Sequence, residues 1–341
     1  MDEHSTPSTS TEDFFLRSGL TSQDQFDCYK FVENLYPGSS IAPVTCQGYC
    51  SLTLFVDNDI IIQFRPFVYR LDLEITQAAR EVYGRFAPET RYIATLPTSG
   101  LLVYIMSRIE GISFKDFRAS NTPIAKSTDC RARLCKDFAT FLSKSWCTVP
   151  SDGSSAPLRK IGKSIVSRLK SLCTDLPIRF QATARTVLKR LHHIDVLPWV
   201  LTHGDIVASN LMIDPSTGRL SGLVDYAEAE YLPFGVCLYG LEEILGEMTS
   251  RGFEYRPDAS DLREIFWTEL KERISDLQNK AVLEAVKLAR DLGVLLWFGI
   301  AFDDGAINRI VEEDRDVEEI LRLNAFLDIH ESQDFERGSK I

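Results

Sequence analysis

Apolar and polar positions in the first part of the chain alternate in short runs, as in a small mixed α/β domain. The first run with helical spacing, SQDQFDCYKFVENLYPG, stops at Pro37-Gly38. Two strand-like runs meet at Asp57-Asn58, a dipeptide typical of a hairpin turn. The pattern predicts, in order, a helix over 22–36, strands over 50–57 and 59–66, a helix over 71–84, and strands over 90–96 and 101–109.

After Gly111 the pattern becomes mainly helical, with one β-like segment embedded in it. In that segment, residues 210–226, two apolar runs flank the turn PSTGR, as in a hairpin. Residues 1–21 are rich in Ser, Thr and acidic side chains, which predicts a flexible tail. The whole pattern predicts an α+β, bilobal fold: a small N-lobe over 22–108 with an antiparallel sheet, and a large, mainly helical C-lobe over 109–341.

The composition of the 341 residues argues against several classes of function. The net charge is −11, whereas a nucleic-acid backbone requires a basic surface, so we expect no nucleic-acid partner. The eight cysteines form no CxxC pair and the five histidines do not cluster with them, which disfavours a zinc site. No run is long and apolar enough for a membrane span, and MDEHSTPSTSTEDFF lacks the pattern of a secretory signal. We therefore expect a cytoplasmic protein with free thiols and no membrane partner, and the sequence does not indicate an oligomeric state.

The stretch LTHGDIVASNLMIDPSTGRLSGLVDYAE, residues 201–228, places three polar side chains between aliphatic runs. Asp205 and Asn210 are five residues apart and Asp225 ends the second strand of the hairpin, so the three are predicted to meet at one edge of it. Two carboxylates and an amide oxygen suit Mg²⁺ bound together with substrate phosphates. A carboxylate left free of metal could take the proton of an attacking hydroxyl. In phosphoryl transfer, one Asp acts as the base, while a following Asn and a second Asp bind the metal.

The string HGDIVASNLMID…LVDYAEA resembles the aminoglycoside phosphotransferase and choline kinase family, whose catalytic loop reads HGD-x-x-x-x-N. The resemblance covers nearly the whole chain and is closest to the fungal phosphotransferase-like branch, as in QGYCSLTLFV, IIQFR and EYLPFGVCLYGLEEILG. It implies a protein-kinase-like fold and transfer of the γ-phosphoryl of ATP or GTP, with Mg²⁺, to a hydroxyl of a small molecule. By this resemblance Asp205 matches the catalytic base and His203 a structural residue of the catalytic loop. Asn210 and Asp225 match the two metal-binding positions.

The same resemblance places nucleotide-binding residues in the N-lobe. The string QGYCS matches the nucleotide-covering loop, where Gly48 and the hydroxyl-bearing Ser51 would let backbone amides approach phosphate; an ordinary strand turn is the alternative. The strand LLVYIMSRIEG matches the segment that leads to the hinge, where backbone groups near Met106 and Ile109 would bind a nucleobase. The side chain of Met106 is equally consistent with core packing.

The third strand departs from the family pattern because it lacks the lysine that pairs nucleotide phosphates with a helix glutamate. Strand alternation places Gln63 and Arg65 on one face, so one of them would take that role. Arg65 keeps the positive charge of the missing lysine, on a planar guanidinium group. Its partner on the helix would be Glu74, with Glu81 as the alternative. Three interpretations are open: a working arginine clamp, a fold that has lost transfer activity, and a solvated charge on an edge strand.

Acidic residues after Asp225 are candidates for binding the acceptor. Glu228, Glu230 and Glu242 could pair with an amine-bearing acceptor, although acidic runs of this kind usually face solvent. The preferred function is a small-molecule kinase. The alternatives are a catalytically impaired kinase-like protein that binds a ligand or partner, and nucleotidyl transfer on the same scaffold.

Overall fold

The computed structural model describes residues 10–44, 47–120, 122–148, 160–303 and 306–337, without the side chains of 302–308 and 328–337. The chain divides into two compact units. The first unit comprises Met1–Glu81 and Ala87–Ile109, and the second comprises Val82–Phe86 and Glu110–Ile341. The division after Ile109 lies next to the predicted lobe boundary.

The elements up to residue 109 alternate helices and strands as the sequence pattern predicts. They are α1 (Thr11–Arg17), α2 (Ser22–Leu35), β1 (Ile41–Pro43), β2 (Leu52–Val56), β3 (Ile60–Arg65), α3 (Leu73–Tyr83), β4 (Thr90–Thr95) and β5 (Leu102–Ser107), with short 3-10 helices at Phe67–Tyr69 and Gly84–Phe86. β1 was not predicted, because three residues are too few to show the alternation of a strand.

The strands of the first unit form one antiparallel sheet in the order β1-β2-β3-β5-β4. β2 and β3 form the predicted hairpin, and Asp57 in its turn has a positive φ of 49°, which Asp tolerates better than most residues. One face of this hairpin supplies apolar residues to the hydrophobic core, namely Leu52, Leu54, Val56, Ile62 and Phe64. Because strand side chains alternate between faces, Thr53, Gln63 and Arg65 project from the other face.

The prediction of a flexible tail over 1–21 is wrong for its described part, and residues 1–9 lie outside the described residues. Residues Thr11–Arg17 form α1, whose N-cap Ser10 and Asp13 make a reciprocal capping box. Phe14 and Phe15 are 0% and 4% exposed in the core of the first unit. Burial of two aromatic side chains stabilises this helix despite the Ser- and Thr-rich composition around it.

The second unit is mainly helical, with short antiparallel strand pairs and one three-stranded sheet. Its elements are β6 (Ile112–Ser113), α4 (Phe114–Ala119), α5 (Pro123–Lys126), α6 (Thr128–Cys147), α7 (Ile165–Asp175), α8 (Ile178–Arg190), β7 (Trp199–Thr202), β8 (Leu211–Ile213), β9 (Leu220–Leu223), β10 (Glu230–Pro233), α9 (Gly240–Leu245), β11 (Gly246–Thr249), β12 (Gly252–Tyr255), α10 (Ala259–Arg273), α11 (Lys280–Phe298), β13 (Ile300–Asp303), β14 (Ala306–Ile310) and α12 (Val317–Arg337). Further 3-10 helices span Leu191–Val196, Tyr226–Glu228, Val236–Tyr239 and Ser275–Gln278.

Buried aromatic rings connect the helices of the second unit. Phe138 of α6 lies 6.3 Å from Phe141 and 6.0 Å from Phe266 of α10, measured between ring centroids. The predicted hairpin is present as β8 and β9, and β6 completes a sheet in the order β6-β8-β9. Among the described helices, none has the length and apolar character to cross a membrane.

Candidate active site

Two loops of the second unit carry the polar residues singled out in the sequence. One loop, 203–210, runs from β7 to β8, and the other, 224–229, runs from β9 to β10. β7 pairs with β10 and β8 pairs with β9, so each loop is held at both ends by a strand pair. The amide of Val224 also donates a hydrogen bond to the carbonyl oxygen of Asn210 at 3.0 Å. The hairpin geometry therefore places the two loops side by side.

His203 fastens the two loops to each other. Its Nε2 donates to the carbonyl oxygen of Val224 at 2.9 Å, and its Nδ1 accepts from the amide of Asp205 at 3.2 Å. One ring nitrogen acts as donor and the other as acceptor, which is the neutral imidazole. The ring is 1% exposed, and burial lowers its pKa to about 4 because a charged imidazole would lose its hydration.

Acid is expected to destabilise the second unit through His203. The folded-state pKa is about 4 against an ordinary 6.5, so between these values the unfolded chain binds more protons than the folded one. This contribution is complete above pH 6.5 and disappears as the pH falls towards 4, and it amounts to at most ~3 kcal/mol. Urea unfolding between pH 7 and pH 4.5 should show a smaller pH slope for His203→Gln than for wild type. The exposed-histidine control His193→Gln should keep the wild-type slope, and equal slopes in all three proteins would contradict this account.

Asp205 and Asn210 are in direct contact. The Nδ2 of Asn210 donates to Oδ2 of Asp205 at 2.9 Å and to the main-chain oxygen of Asp205 at 3.0 Å. The side-chain nitrogen of Asn210 is thus bound to Asp205. The side-chain oxygen of Asn210 points away from Asp205 and can act as an acceptor. Asp225 precedes the 3-10 helix Tyr226–Glu228 and has a positive φ of 64°, an uncommon conformation outside glycine.

The carboxyl group of Asp205 has a raised pKa. Burial raises it to about 7, the negative charge of Asp225 acts in the same direction, and the hydrogen bond from Asn210 opposes both. A carboxylate with a pKa near neutrality is suited to accept a proton under physiological conditions. Asp205, Asn210 and Asp225 thus lie together, and the structure gives each a different chemical environment.

The chemistry of these donors suits Mg²⁺. Asn210 offers an amide oxygen and Asp225 a carboxylate, both of them the hard oxygen ligands that Mg²⁺ takes. A cation beside Asp225 would also relieve its repulsion with Asp205. Within the part of the chain that the structure describes, no three His, Cys, Asp or Glu side chains are grouped as a metal site. Mg²⁺ held here would therefore need phosphate or water oxygens to complete its coordination.

Two residues that the sequence analysis did not select as site residues hold the 203–210 loop in place. Gly204 has a φ of 82° and lies against the backbone of Glu228, where a Cβ would collide with the carbonyl oxygen. Tyr239 is fully buried, and its hydroxyl accepts from the amide of Ile206 at 3.2 Å. The HGD motif could have indicated Gly204, whereas no local pattern links Tyr239 to a loop so far away in sequence.

In the first unit, four polar side chains form a hydrogen-bonded row on one face of the sheet. Ser51 Oγ lies 3.3 Å from Thr53 Oγ1, and Gln63 Nε2 donates to the same Thr53 oxygen at 3.2 Å. Arg65 Nε donates to Gln63 Oε1 at 2.9 Å, and Arg65 Nη1 donates to the carbonyl oxygen of Tyr69 at 3.3 Å. The row therefore connects three residues singled out for nucleotide binding, Ser51, Gln63 and Arg65.

The interpretation of Arg65 as a solvated charge on an edge strand is wrong. β3 lies inside the sheet, between β2 and β5, and the side chain of Arg65 is only 4% exposed. The sequence pattern could not exclude this interpretation because it does not give the order of strands in a sheet. The arginine-clamp and loss-of-activity interpretations are both compatible with a buried Arg65.

The surroundings of Gly48, Glu74 and Glu81 do not indicate one particular role for these residues. Gly48 lies in the loop between β1 and β2, and a Cβ built there would meet only Ser51 Oγ at 3.7 Å, so no steric contact requires glycine. Glu74 is exposed in the first turn of α3, which Asp72 caps through its side chain. Glu81 is exposed on the same helix and accepts a hydrogen bond from Gln77 at 2.9 Å.

The backbone near the predicted hinge is largely engaged within the first unit. Met106 pairs with Ile61 of β3 in the interior of the sheet. The amide of Ser107 donates to Glu89 and the amide of Arg108 donates to Asp59, both at 2.9 Å. Ile109, 7% exposed, is the last residue of the unit. A nucleobase contact in this segment would therefore fall to backbone groups from Ile109 onwards.

The predicted acceptor role of Glu242 is wrong. Its carboxylate is 2% exposed and receives two hydrogen bonds from Arg263, at 2.8 and 2.9 Å, and one from Arg290 at 2.7 Å. The hydroxyl of Tyr255 donates to it as well, at 3.1 Å. Although burial alone would raise the pKa of Glu242, the two guanidinium groups hold it below the ordinary value. The group is a buried structural anion.

Glu230 is also a structural residue, which contradicts its predicted acceptor role. It lies on β10 with 4% exposure, and its two carboxylate oxygens accept from the amides of Ile161 and Gly162 at 2.9 and 3.2 Å. Glu228 is exposed at the end of its 3-10 helix. Of the three candidates, only Glu228 presents a solvent-accessible carboxylate.

A cavity of about 860 Å³ in the second unit lies away from these loops. Its walls include the β8–β9 turn and α6, with Asp214, Arg219 and Asp137 among the lining residues. The Arg219 guanidinium forms a bidentate ion pair with Asp137. None of the predicted site residues lines this cavity, so its volume is not evidence for the predicted reaction.

Comparison with known proteins gives a family match over part of the chain and a structural likeness over most of it. Residues 74–236 match the model of the phosphotransferase enzyme family. The structure is similar to the GDP complex of aminoglycoside 2'-phosphotransferase-IIIa, with a TM-score of 0.54 and 13% identity over 81% of this chain and 91% of that chain. A mutant of that enzyme in its GDP complex gives a TM-score of 0.56 and 14% identity over 92% of this chain and 99% of that chain. No curated protein matches the chain in sequence. The structural likeness confirms the predicted fold, with an antiparallel N-terminal sheet followed by a helical region.

Proposed function

We propose that the chain, which matches the model of the phosphotransferase enzyme family over residues 74–236, transfers the γ-phosphoryl group of ATP or GTP to a hydroxyl of a small molecule, with Mg²⁺. One observation carries the proposal: the Asn210 amide nitrogen binds the Asp205 carboxylate, so that the amide oxygen is presented for a cation while Asp205 keeps its role as a base. A loop with only a structural role would not need two neighbouring carboxylates, because removing charged groups from water costs free energy.

Asp205 is proposed to orient the acceptor hydroxyl and to accept its proton. The half-buried setting of its carboxyl supports this role, because the group accepts a hydrogen bond from Asn210 and is not fully solvated. Asn210 and Asp225 are proposed to hold Mg²⁺, which would neutralise negative charge on the nucleotide phosphates. His203 and Tyr239 keep the loop in the conformation that these roles require.

Arg65 is proposed to bind nucleotide phosphate in place of the family's third-strand lysine, with Glu74 on α3 as its partner. Its hydrogen bonds to Gln63 and Tyr69 fix the orientation of the guanidinium plane. Guanidinium groups bind phosphate through planar, charge-assisted hydrogen bonds, and this chemistry supports the proposed role. The backbone amides of the 47–51 loop are proposed to lie over the phosphates, and backbone groups from Ile109 onwards to bind the nucleobase.

The acceptor is proposed to be a small hydroxyl compound, with Glu228 as the group that could bind an amine on it. The exposure of this carboxylate supports the assignment, since Glu230 and Glu242 are occupied by structural contacts. Six of the described cysteines, Cys28, Cys130, Cys135, Cys147, Cys173 and Cys237, are free thiols, which fits the proposed cytoplasmic location.

The alternative function is a kinase-like protein without transfer activity that binds a ligand or a partner. The absence of the third-strand lysine is the observation that favours it. Incubation of the protein with Mg²⁺, ATP or GTP and a panel of hydroxyl compounds, followed by mass spectrometry, separates the possibilities. A gain of one phosphoryl group on an acceptor is the expected result, and a gain of a nucleotidyl group would indicate the other reaction. Nucleotide binding without any product would support the non-catalytic alternative.

A further inference from the structure

Arg17 of α1 contacts the loop formed by residues 47–51. Arg17, in the last turn of the helix, donates through Nη2 to the carbonyl oxygen of Tyr49 at 3.2 Å and to that of Gly48 at 3.5 Å. Its guanidinium also lies over the Tyr49 ring, 4.6 Å from the centroid. The loop is therefore bound through both its backbone and its aromatic side chain.

The helix that carries Arg17 is firmly anchored. Its capping box fixes the N-terminus, and Phe14 and Phe15 are buried in the hydrophobic core with residues of α2 and β2. Phe14 lies three residues before Arg17, so the arginine projects from a turn next to a buried anchor. Contact with Arg17 consequently restricts the loop, since the helix itself has little freedom to follow it.

Tyr49 also connects the loop to the segment that holds Arg65. Its ring makes an edge-to-face contact with the ring of Tyr69 at 6.2 Å between centroids. The carbonyl oxygen of Tyr69 accepts a hydrogen bond from Arg65. A continuous set of contacts thus runs from Arg17 through Tyr49 and Tyr69 to the proposed phosphate-binding arginine.

The Arg17 contacts also determine which way the loop amides point. In a trans peptide the carbonyl and the N–H of the same plane point in opposite directions, and the described chain contains no cis peptide bond. Because the carbonyl groups of Gly48 and Tyr49 are directed at Arg17, the N–H groups of Tyr49 and Cys50 are directed away from it. A phosphate-covering loop acts through the direction of such amides.

We propose that Arg17 is a positioning residue for nucleotide binding: it holds the 47–51 loop in its nucleotide-covering conformation and couples that loop to Arg65. This role is additional to the residues that contact nucleotide, and it rests on the proposed function, in which this loop covers the phosphates. It also gives α1 a function beyond completing the core.

The test compares full-length Arg17→Ala and Arg17→Lys with wild type and with a matched control, Arg70→Ala. Arg70 also lies over an aromatic ring, 4.6 Å from the centroid of Phe67, and donates to one carbonyl oxygen, but it contacts its own segment instead of the loop. Two quantities are measured: the dissociation constant of Mg²⁺–ATP and Mg²⁺–GTP, and the hydrogen exchange of a peptide covering 47–51 without nucleotide.

Arg17→Ala is expected to raise the nucleotide dissociation constant about fivefold and to speed exchange in the loop, whereas Arg70→Ala does neither. The dissociation constant and the loop exchange rate of Arg17→Lys should lie between those of wild type and Arg17→Ala, because lysine keeps the positive charge and lacks the planar guanidinium group. An unchanged dissociation constant in Arg17→Ala overturns the proposal. If wild type binds neither nucleotide, the proposed function fails, and exchange alone decides the role of Arg17: faster exchange only in Arg17→Ala supports loop positioning, and equal exchange in all proteins overturns it.

Discussion

The Asp205→Asn variant is expected to lose phosphoryl transfer by about 10²–10⁴-fold in kcat, the usual contribution of a general base. Asparagine has nearly the same shape and can still accept the hydrogen bond that Asn210 donates, so the loop conformation should persist. Asn210 and Asp225 are unaltered, and binding of Mg²⁺–nucleotide should therefore change little. Initial rates with an acceptor found by mass spectrometry, together with nucleotide affinity, measure the two effects separately.

Asp214→Asn is a matched control for this variant. Asp214 lies in the turn between β8 and β9, on the same hairpin, where its carboxylate accepts from Ser216 and Thr217. We expect this substitution to leave the transfer rate near that of wild type. A rate for Asp205→Asn close to those of wild type and Asp214→Asn would show that Asp205 is not the base.

The Glu242→Gln variant is expected to lose about 3–5 kcal/mol of unfolding free energy. The substitution removes the negative charge that Arg263 and Arg290 share. Arg290 is 5% exposed and would keep the carboxylate of Asp291, at 3.0 Å, as a partner, so two largely buried positive charges would lose the anion between them. Equilibrium unfolding in urea, followed by far-ultraviolet circular dichroism, measures the loss.

Glu284→Gln provides the comparison for the Glu242 variant, since it removes a surface charge on α11. Its partner Lys287 lies at 3.3 Å and both side chains are about two-fifths exposed, so the expected loss is below ~1 kcal/mol. A Glu242→Gln protein as stable as wild type but with a raised KM for the acceptor would contradict the structural assignment and restore the acceptor-binding one.

The Asp205, Asn210 and Asp225 cluster could be predicted from the sequence because its geometry is local. The spacing of the first two residues and a single hairpin are sufficient to bring all three together. The buried role of Glu242 could not be predicted in this way, since its partners follow it by 21 and 48 residues and look like ordinary helix charges. Long-range ion pairs leave no periodic signal in a sequence.

In the first unit, Arg65 and α1 also show which features a sequence pattern can predict and which it cannot. Alternation correctly places Gln63 and Arg65 on one face, as their hydrogen bond demonstrates, but only the strand order places β3 inside the sheet. Ser10 and Asp13 are a recognisable capping-box pair, and Phe14-Phe15 a recognisable apolar pair, within a stretch whose overall composition suggests a tail. Local capping signals were more informative there than composition.

Metal-dependent nucleotide binding tests most directly whether Asn210 and Asp225 hold a metal–nucleotide complex beside Asp205. We would measure the thermal shift of wild type and Asp225→Asn with ATP and with GTP, each with and without Mg²⁺; asparagine is chosen because it tolerates the positive φ at this position. With nucleotide at about 100 times Kd and Mg²⁺ present, wild type should gain about 2.7 kcal/mol of stability, most of which Asp225→Asn should lose. No stabilisation of wild type by either nucleotide, or equal stabilisation of both proteins with and without Mg²⁺, would contradict this role of Asn210 and Asp225.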